Sequence, residues 1–300
     1  VYVAGLDKLW VIDVANPEHP VPVTKSDLQG SLGEPRRLSL SSDHQTGDPL
    51  LYVASQSYGV EVFDVGEPLT PTLTGTYPAP TGHDVDDVFA VGEHAYVCTA
   101  QAGNGQLRIL DVADPGNPVE MEVYDTPGDA RGVFVTDTLA YVADGPAGLR
   151  VIDVSDPDNP TELDHAEPPT ATATVDVVFV RAGLAYVGSN SGGQWWIEAY
   201  DVSTPSNILR TVSQHGDGYV NDIDVDDDYV YGVVSEEDLA FRARGVRDSS
   251  LLGPTQQSSP GLRVYQRSSL VPKGFHATKY ADSIHTFEKT YPGKVVKYVI

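Results

Sequence analysis

The chain of 300 residues carries 43 acidic and 19 basic side chains, a formal charge of −24, with 28 glycines, 22 prolines and one cysteine. That sign excludes nucleic acid as a partner, because phosphate affinity comes from Lys and Arg releasing counterions, and it disfavours anionic membrane surfaces. No apolar run approaches the roughly 20 residues a spanning helix needs, and Cys98 alone excludes an internal disulfide or a cysteine-rich metal site.

In chain order one phrase keeps returning: LWVIDVANPEHP at 9–20, VEVFDVGEPLTP at 60–71, LRILDVADPGNP at 107–118, LRVIDVSDPDNP at 149–160 and IEAYDVSTPSNI at 197–208. A second series runs beside it. Tyr52, Tyr96, Tyr141, Tyr186 and Tyr231 follow one another at steps of 44, 45, 45 and 45 residues, and Tyr2 begins the series. Residues 128–166 show what one unit contains. ARGVFV predicts a strand, TLAYVAD a second, LRVIDV a third and the more polar TELDHA a fourth, with TD, GPAG and SDPDNP as the turns. Four antiparallel strands per roughly 45 residues is the size of a propeller blade. The apolar gradient agrees, since inner strands lie between neighbouring blades while the outermost faces water.

The expected fold is therefore all-β, a single six-bladed β-propeller over 1–300. Its blades are placed at 1–26 with 294–300, then 34–77, 84–125, 129–166, 174–213 and 219–290. Residue 1 falls at a second strand, and Val1 in place of an initiator Met is read as the start of a processed or trimmed chain. At the other end TYPGKVVKYVI (290–300) aligns with DTPGDARGVFV (125–135), so the C-terminal strand is expected to join the first blade and close the ring. The other reading of 271–300, which holds five of the seven lysines, is an isolated Lys-rich tail.

The pattern YVADG…GLRVIDVSDPxNP resembles the LVIVD-repeat proteins of bacteria and archaea. It covers nearly the whole chain, and fades in the sixth unit, where LRVYQRSS (262–269) puts Gln266 in the place of Asp. The resemblance implies a β-propeller and an exported or surface-attached protein. It implies no activity, because the family has no agreed catalytic motif to carry over.

The repeated Asp13, Asp64, Asp111, Asp153 and Asp201 each precede a proline by four residues: Pro17, Pro68, Pro115, Pro157 and Pro205. Proline ends the strand, and a carboxylate just upstream can accept the backbone N–H groups that the turn frees. A need repeated in every blade is structural, so these aspartates are expected to build turns on the face away from any ligand.

A site should instead vary between blades. Just before each innermost strand's apolar stretch stand Arg36, Asp86, Arg131, Asp176 and Asn221, followed by Arg37, Asp87, Gly132, Val177 and Asp222, with Lys297 from the closing strand. These should surround the mouth of the central channel. Either they pair between blades, or they bind a polar ligand or a divalent cation held by Asp86, Asp87 and Asp176. GHDVDD (82–87) adds His83 as a further ligand or base. No cofactor is required, and Ca2+ is the ion such a mouth would take. HGDGYVNDIDVDDD (215–228) fails the calcium-loop pattern, so Asp226, Asp227 and Asp228 read as a polar turn.

Two departures from the repeat remain. Between the second and third strands of the sixth unit lie about 26 residues (235–260) with Arg242, Arg244 and Arg247, either a partner-docking loop or a tolerated insertion. Trp195 and Trp196 open a third strand, one facing the neighbouring blade and the other turned away. The expected role is a non-catalytic extracellular or cell-surface scaffold for protein or glycan partners. Its alternatives are a cation-dependent hydrolase resembling propeller lactonases and phytases, and a self-assembling filament or surface-layer subunit that donates its last strand.

Overall fold

The computed structural model describes residues 1–235, except 6–7, 14–18, 20, 29–33, 102 and 226–228, together with the strand 261–266. The expected closing strand at 294–300, most of the loop at 235–260 with its three arginines, Lys297 and Asp226–Asp228 lie outside the described residues.

No helix occurs among the described residues. Among the described residues the strands form six antiparallel sheets in chain order. The first holds β1 (Tyr2–Gly5), β2 (Lys8–Asp13) and β3 (Val21–Asp27). The second holds β4 (Pro35–Ser42), β5 (Pro49–Ser55), β6 (Gly59–Asp64) and β7 (Thr72–Pro78). The third holds β8 (Asp84–Val91), β9 (His94–Ala100), β10 (Gly105–Asp111) and β11 (Val119–Thr126). In the fourth are β12 (Gly132–Thr136), β13 (Leu139–Ala143), β14 (Leu149–Asp153) and β15 (Thr161–Ala166). In the fifth are β16 (Thr174–Arg181), β17 (Leu184–Ser191), β18 (Gln194–Asp201) and β19 (Leu209–Asp217). The sixth consists of β20 (Tyr219–Val225), β21 (Tyr229–Ser235) and β22 (Gly261–Gln266). β19 passes the expected edge at 213 because its pairing with β18 continues through Trp195↔Gly216 and Gln194↔Asp217.

Each sheet is a meander whose strand order follows the chain. The repeated tyrosines fall on the second strands, where Tyr52, Tyr96, Tyr141 and Tyr186 are all buried. Burial then drops outward: β6 is buried at every position but Asp64, whereas β7 alternates and β19 has no fully buried residue.

Every hydrophobic cluster lies between two consecutive sheets. Leu107 and Ile109 pack with Val133, Val142 and Ile152 of the fourth sheet, while Leu110 packs with Tyr52, Val60 and Val62 of the second. Odd and even residues of one strand thus serve opposite neighbours, which is why these strands read as continuous apolar runs. The pattern continues from the first–second interface, built on Leu9, Leu51 and Phe63, to the fifth–sixth, built on Tyr186, Trp195 and Ile223.

Candidate functional site

The variable residues of the inner strands stand at β-bulges. The ladders of β4, β8, β16 and β20 shift register between Pro35 and Arg37, Val85 and Asp87, Val175 and Val177, and Val220 and Asp222. Arg36, Asp86, Asp176 and Asn221 are the extra residues. A bulge bends the strand and re-aims its side chains. In the fourth unit Arg131 takes this place, its N–H bonded to the Ala143 carbonyl at 2.8 Å just ahead of β12.

These strand ends are stitched to one another. Arg36 Nε lies 3.8 Å from Asp86, joining the second and third sheets. Asp87 Oδ2 accepts the Val133 N–H at 2.9 Å, joining third to fourth. Arg131 Nη1 donates to Asp176 at 2.8 Å, joining fourth to fifth. The Asn190 amide then bridges fifth to sixth: its Nδ2 donates to Asp176 Oδ2 (2.8 Å) and the Val220 carbonyl (2.9 Å), and its Oδ1 accepts the Val220 N–H (2.8 Å). Last, Arg37 of the second sheet reaches the sixth, with Nη1 at 2.9 Å from Asp222 Oδ1 and Nη2 donating to the Asn221 carbonyl at 3.2 Å.

Burial governs the electrostatics. It pushes the Asp86 carboxyl from 3.8 up to about 6 against the pull of Arg36 and Arg131. It pushes Asp87 up to about 7 against Arg37 and two backbone N–H donors, with Asp222 adding to the rise. Asp176 and Asp222 are raised for the same first reason. Carboxylates held this way resist ionisation, and their role is to accept hydrogen bonds across seams.

Asp86, Asp87 and Asp176 do not form a common cage. Each faces a different partner, and among the described residues no three His, Cys, Asp or Glu side chains converge to hold a metal ion. His83 stands apart from them. Its N–H closes a turn on Pro80 (3.0 Å), and burial and the Arg108 guanidinium lower its imidazole pKa, opposed by Asp125.

The repeated aspartates cap their turns. Asp64, Asp111, Asp153 and Asp201 accept the N–H two residues on, from Gly66 (2.8 Å), Ala113, Ser155 and Ser203 (each 2.9 Å). The residue after each returns to the first hairpin: Val65 N–H to the Pro49 carbonyl, Val112 to Glu93, Val154 to Thr138 and Val202 to Gly183. The same turns clasp the preceding sheet. A Cβ on Gly75 of β7 would run into the Pro115 carbonyl, and Ile208, which replaces the usual proline, donates its N–H to Asp164 of β15 at 2.8 Å.

One feature escaped the sequence reading. Three positions before the repeated Asp sits a buried charge, Arg108, Arg150 or Glu198, each answered from the outer strand twelve residues on. Arg108 Nη1 meets Glu120 and Arg150 Nη1 meets Glu162, both at 2.6 Å, and Glu198 accepts from Arg210 at 3.0 Å. Arg150 Nε also binds the fully buried Asp144 at 2.8 Å, which accepts from Thr126 Oγ1 (2.6 Å) and the Gly128 N–H (3.0 Å). Tyr77 of the second sheet donates to Glu120 of the third, and Tyr124 of the third to Glu162 of the fourth. The twelve-residue spacing of opposite charges was the available signal. Of the tandem tryptophans, Trp195 is buried against the sixth sheet, and Trp196 faces the other way, its ring 6.4 Å from that of His215.

Consecutive antiparallel sheets stacked face to face, with outer strands exposed and inner strand ends converging, define a β-propeller. Solved structures agree at the level of fold. A protein from Lactobacillus plantarum matches with a TM-score of 0.59 and 15% identity over 77% of this chain and 76% of its own. A protein from Desulfotomaculum acetoxidans DSM 771 gives 0.59 and 12% over 78% and 74%. The Cps50 (Swd1) β-propeller domain of Myceliophteria thermophila gives 0.58 and 11% over 78% and 76%. No curated protein matches. The LVIVD repeat model matches residues 1–27, 82–126 and 127–165, within the first, third and fourth sheets of the propeller.

Proposed function

We propose that the chain is a six-bladed ring, closed by residues 294–300 beside β1, that works without catalysis as a binding scaffold on the cell exterior. The observation that carries this reading is the circuit of polar contacts from Arg36 round to Asp222: it spends the variable charges on holding neighbouring sheets. A hydrolase would need a cation with an open coordination position and a base beside it. The carboxylates that would supply it are occupied by Arg36, Arg131, Asn190 and the Val133 N–H. Closure is supported by the first sheet, whose three described strands start at the second-strand tyrosine, and by Arg37 spanning from the second sheet to the sixth. A formal charge of −24 and a lone cysteine suit an oxidising, cation-bearing exterior and a protein or glycan partner.

The test pairs binding with turnover. The full chain is applied to a glycan array and to the intact envelope of its source cell, and incubated with chromogenic lactones and phosphate esters in Ca2+. Saturable retention without turnover is the expected result. Ca2+-dependent hydrolysis abolished by Asp86→Asn or Asp176→Asn would overturn the scaffold reading in favour of the hydrolase.

A further inference from the structure

Resting on the scaffold reading above, we infer that the fifth sheet seats a neutral glycan at its β17–β18 hairpin end, with the Trp196 and His215 rings as the stacking surface. The geometry begins with strand length. The strands of the fourth sheet hold five or six residues, those of the fifth eight or nine. Both sheets pair alike up to Ala143↔Leu149↔Ala166 in the fourth and Gly188↔Ile197↔Gln214 in the fifth. The fourth ladder ends there. The fifth runs on through Ser189↔Trp196↔His215, Asn190↔Trp195↔Gly216 and Ser191↔Gln194↔Asp217. These three rungs form a tab that outruns its shorter neighbour.

Alternation gives the tab two unlike faces. The middle rung faces the sixth sheet. There Asn190 bonds both the N–H and the carbonyl of Val220, and Trp195 is buried. A Cβ on Gly216 would meet the Trp195 ring at 2.7 Å, so the indole lies against the β19 backbone and braces the tab. The rungs on either side turn towards the fourth sheet, whose strands stop short of them. On that side Trp196 is partly exposed and Gln194, His215 and Asp217 are exposed. The Trp196 and His215 rings lie 6.4 Å apart, inclined at 36°. Ser191 shares a hydrogen bond with Thr172 at 2.8 Å, which ties down the loop beside them. Other sheets put polar pairs at the Trp196–His215 position: Lys8 with Asp27 in the first, Gln106 with Asp125 in the third.

An exposed aromatic pair framed by an amide and a carboxylate suits a pyranose ring. Such a ring turns an apolar C–H face to the indole and its hydroxyls to Gln194 and Asp217. Size points the same way. Three rungs across three strands span roughly 10 Å in each direction, about 100 Å², whereas each partner in a stable protein complex contributes about 800 Å². A sugar ring or two fills the tab, and a protein does not. The formal charge of −24 turns acidic polysaccharides away, so the glycan is neutral. A platform braced from behind loses little freedom on binding.

Affinity electrophoresis of the full chain through gels holding a β-glucan, a mannan or a galactan tests this, with tryptophan emission read on soluble fragments of the same polysaccharides. Retention by at least one of them is expected, together with a shift in emission. Trp196→Ala should weaken retention about ten- to a hundredfold and abolish the shift. Trp196→Phe, which keeps a ring, should restore part of the retention, and Gln194→Ala should weaken it about three- to tenfold. Trp10→Phe should leave both readouts in place. Retention and emission shift unchanged in Trp196→Ala overturn the tab as the seat, while the scaffold reading stands. Retention by none of the polysaccharides overturns it as well. The scaffold reading then stands if the cell envelope still retains the chain saturably, and falls with the tab if it does not.

Discussion

At the residue scale the protein depends on carboxylates that accept rather than react. The repeated aspartates sit at exposed turns, and hydrogen bonding from Ser155 and Ser203 holds Asp153 and Asp201 below the usual carboxylate range. Asp111→Ala frees the Ala113 N–H and should lower the thermal midpoint by about 2–4 °C, with Asp111→Asn closer to the parent, measured by calorimetry. The buried pairs carry more. Arg150→Met leaves Asp144, fully buried, with Thr126 and one backbone N–H but no cation. Breaking a buried pair from one side costs about 3–5 kcal/mol, so chemical denaturation of Arg150→Met should show a loss of that order. Asp144→Asn with Arg150→Met should recover much of it, because the fully buried charge is then gone, and Glu162, the other partner of Arg150, is partly exposed and keeps Tyr124 and His165.

At the scale of elements the repeat was legible and the seams were not. Strand and turn could be read from VID against DPxNP because valine and proline dictate local geometry whatever surrounds them. The inner-strand charges were also legible as a set, since equal spacing places them at equal heights. What they bind was not, because a bulge decides which way a side chain leaves the strand, and a bulge is a property of two paired strands. Asn190 illustrates this: it lies on β17, unremarkable in sequence, yet ties β16 to β20. His83 illustrates the converse. Adjacency to Asp86 and Asp87 in the chain suggested a cluster, but the turn at Pro80 sets its ring in the field of Arg108 and Asp125. Seams also explain why some positions accept no side chain. Gly75→Ala pushes a methyl into the Pro115 carbonyl of the next sheet. Overpacking of that kind costs about 1–3 kcal/mol, and its expected signature is destabilisation of the second–third seam with both sheets' own hairpins still protected from hydrogen exchange.

At the scale of the whole molecule the converging strand ends make stability depend on pH in an unusual direction. Asp86 titrates at about 6 and Asp87 at about 7 in the folded chain, against 3.8 for a free aspartate. The folded state therefore holds protons that the unfolded chain has released. Because stability changes with pH as protons bound unfolded minus protons bound folded, the slope from these sites is negative between about pH 4 and 7. Their contribution is greatest below pH 4 and is lost as pH rises through the folded values. Asp153 and Asp201 act oppositely, since their pKa values are lowered, but their loss comes at pH values below the free aspartate range. Mutual repulsion among the excess acidic groups adds to the penalty at high pH. The thermal midpoint should accordingly be higher at pH 5 than at pH 8. Asp87→Asn should flatten the part of that decline between pH 6 and 7, since an amide cannot ionise yet still presents an oxygen to the Val133 N–H. A midpoint that rises steadily from pH 5 to 8 would show that these carboxylates ionise freely, and that the circuit joining the second sheet to the sixth is open to water.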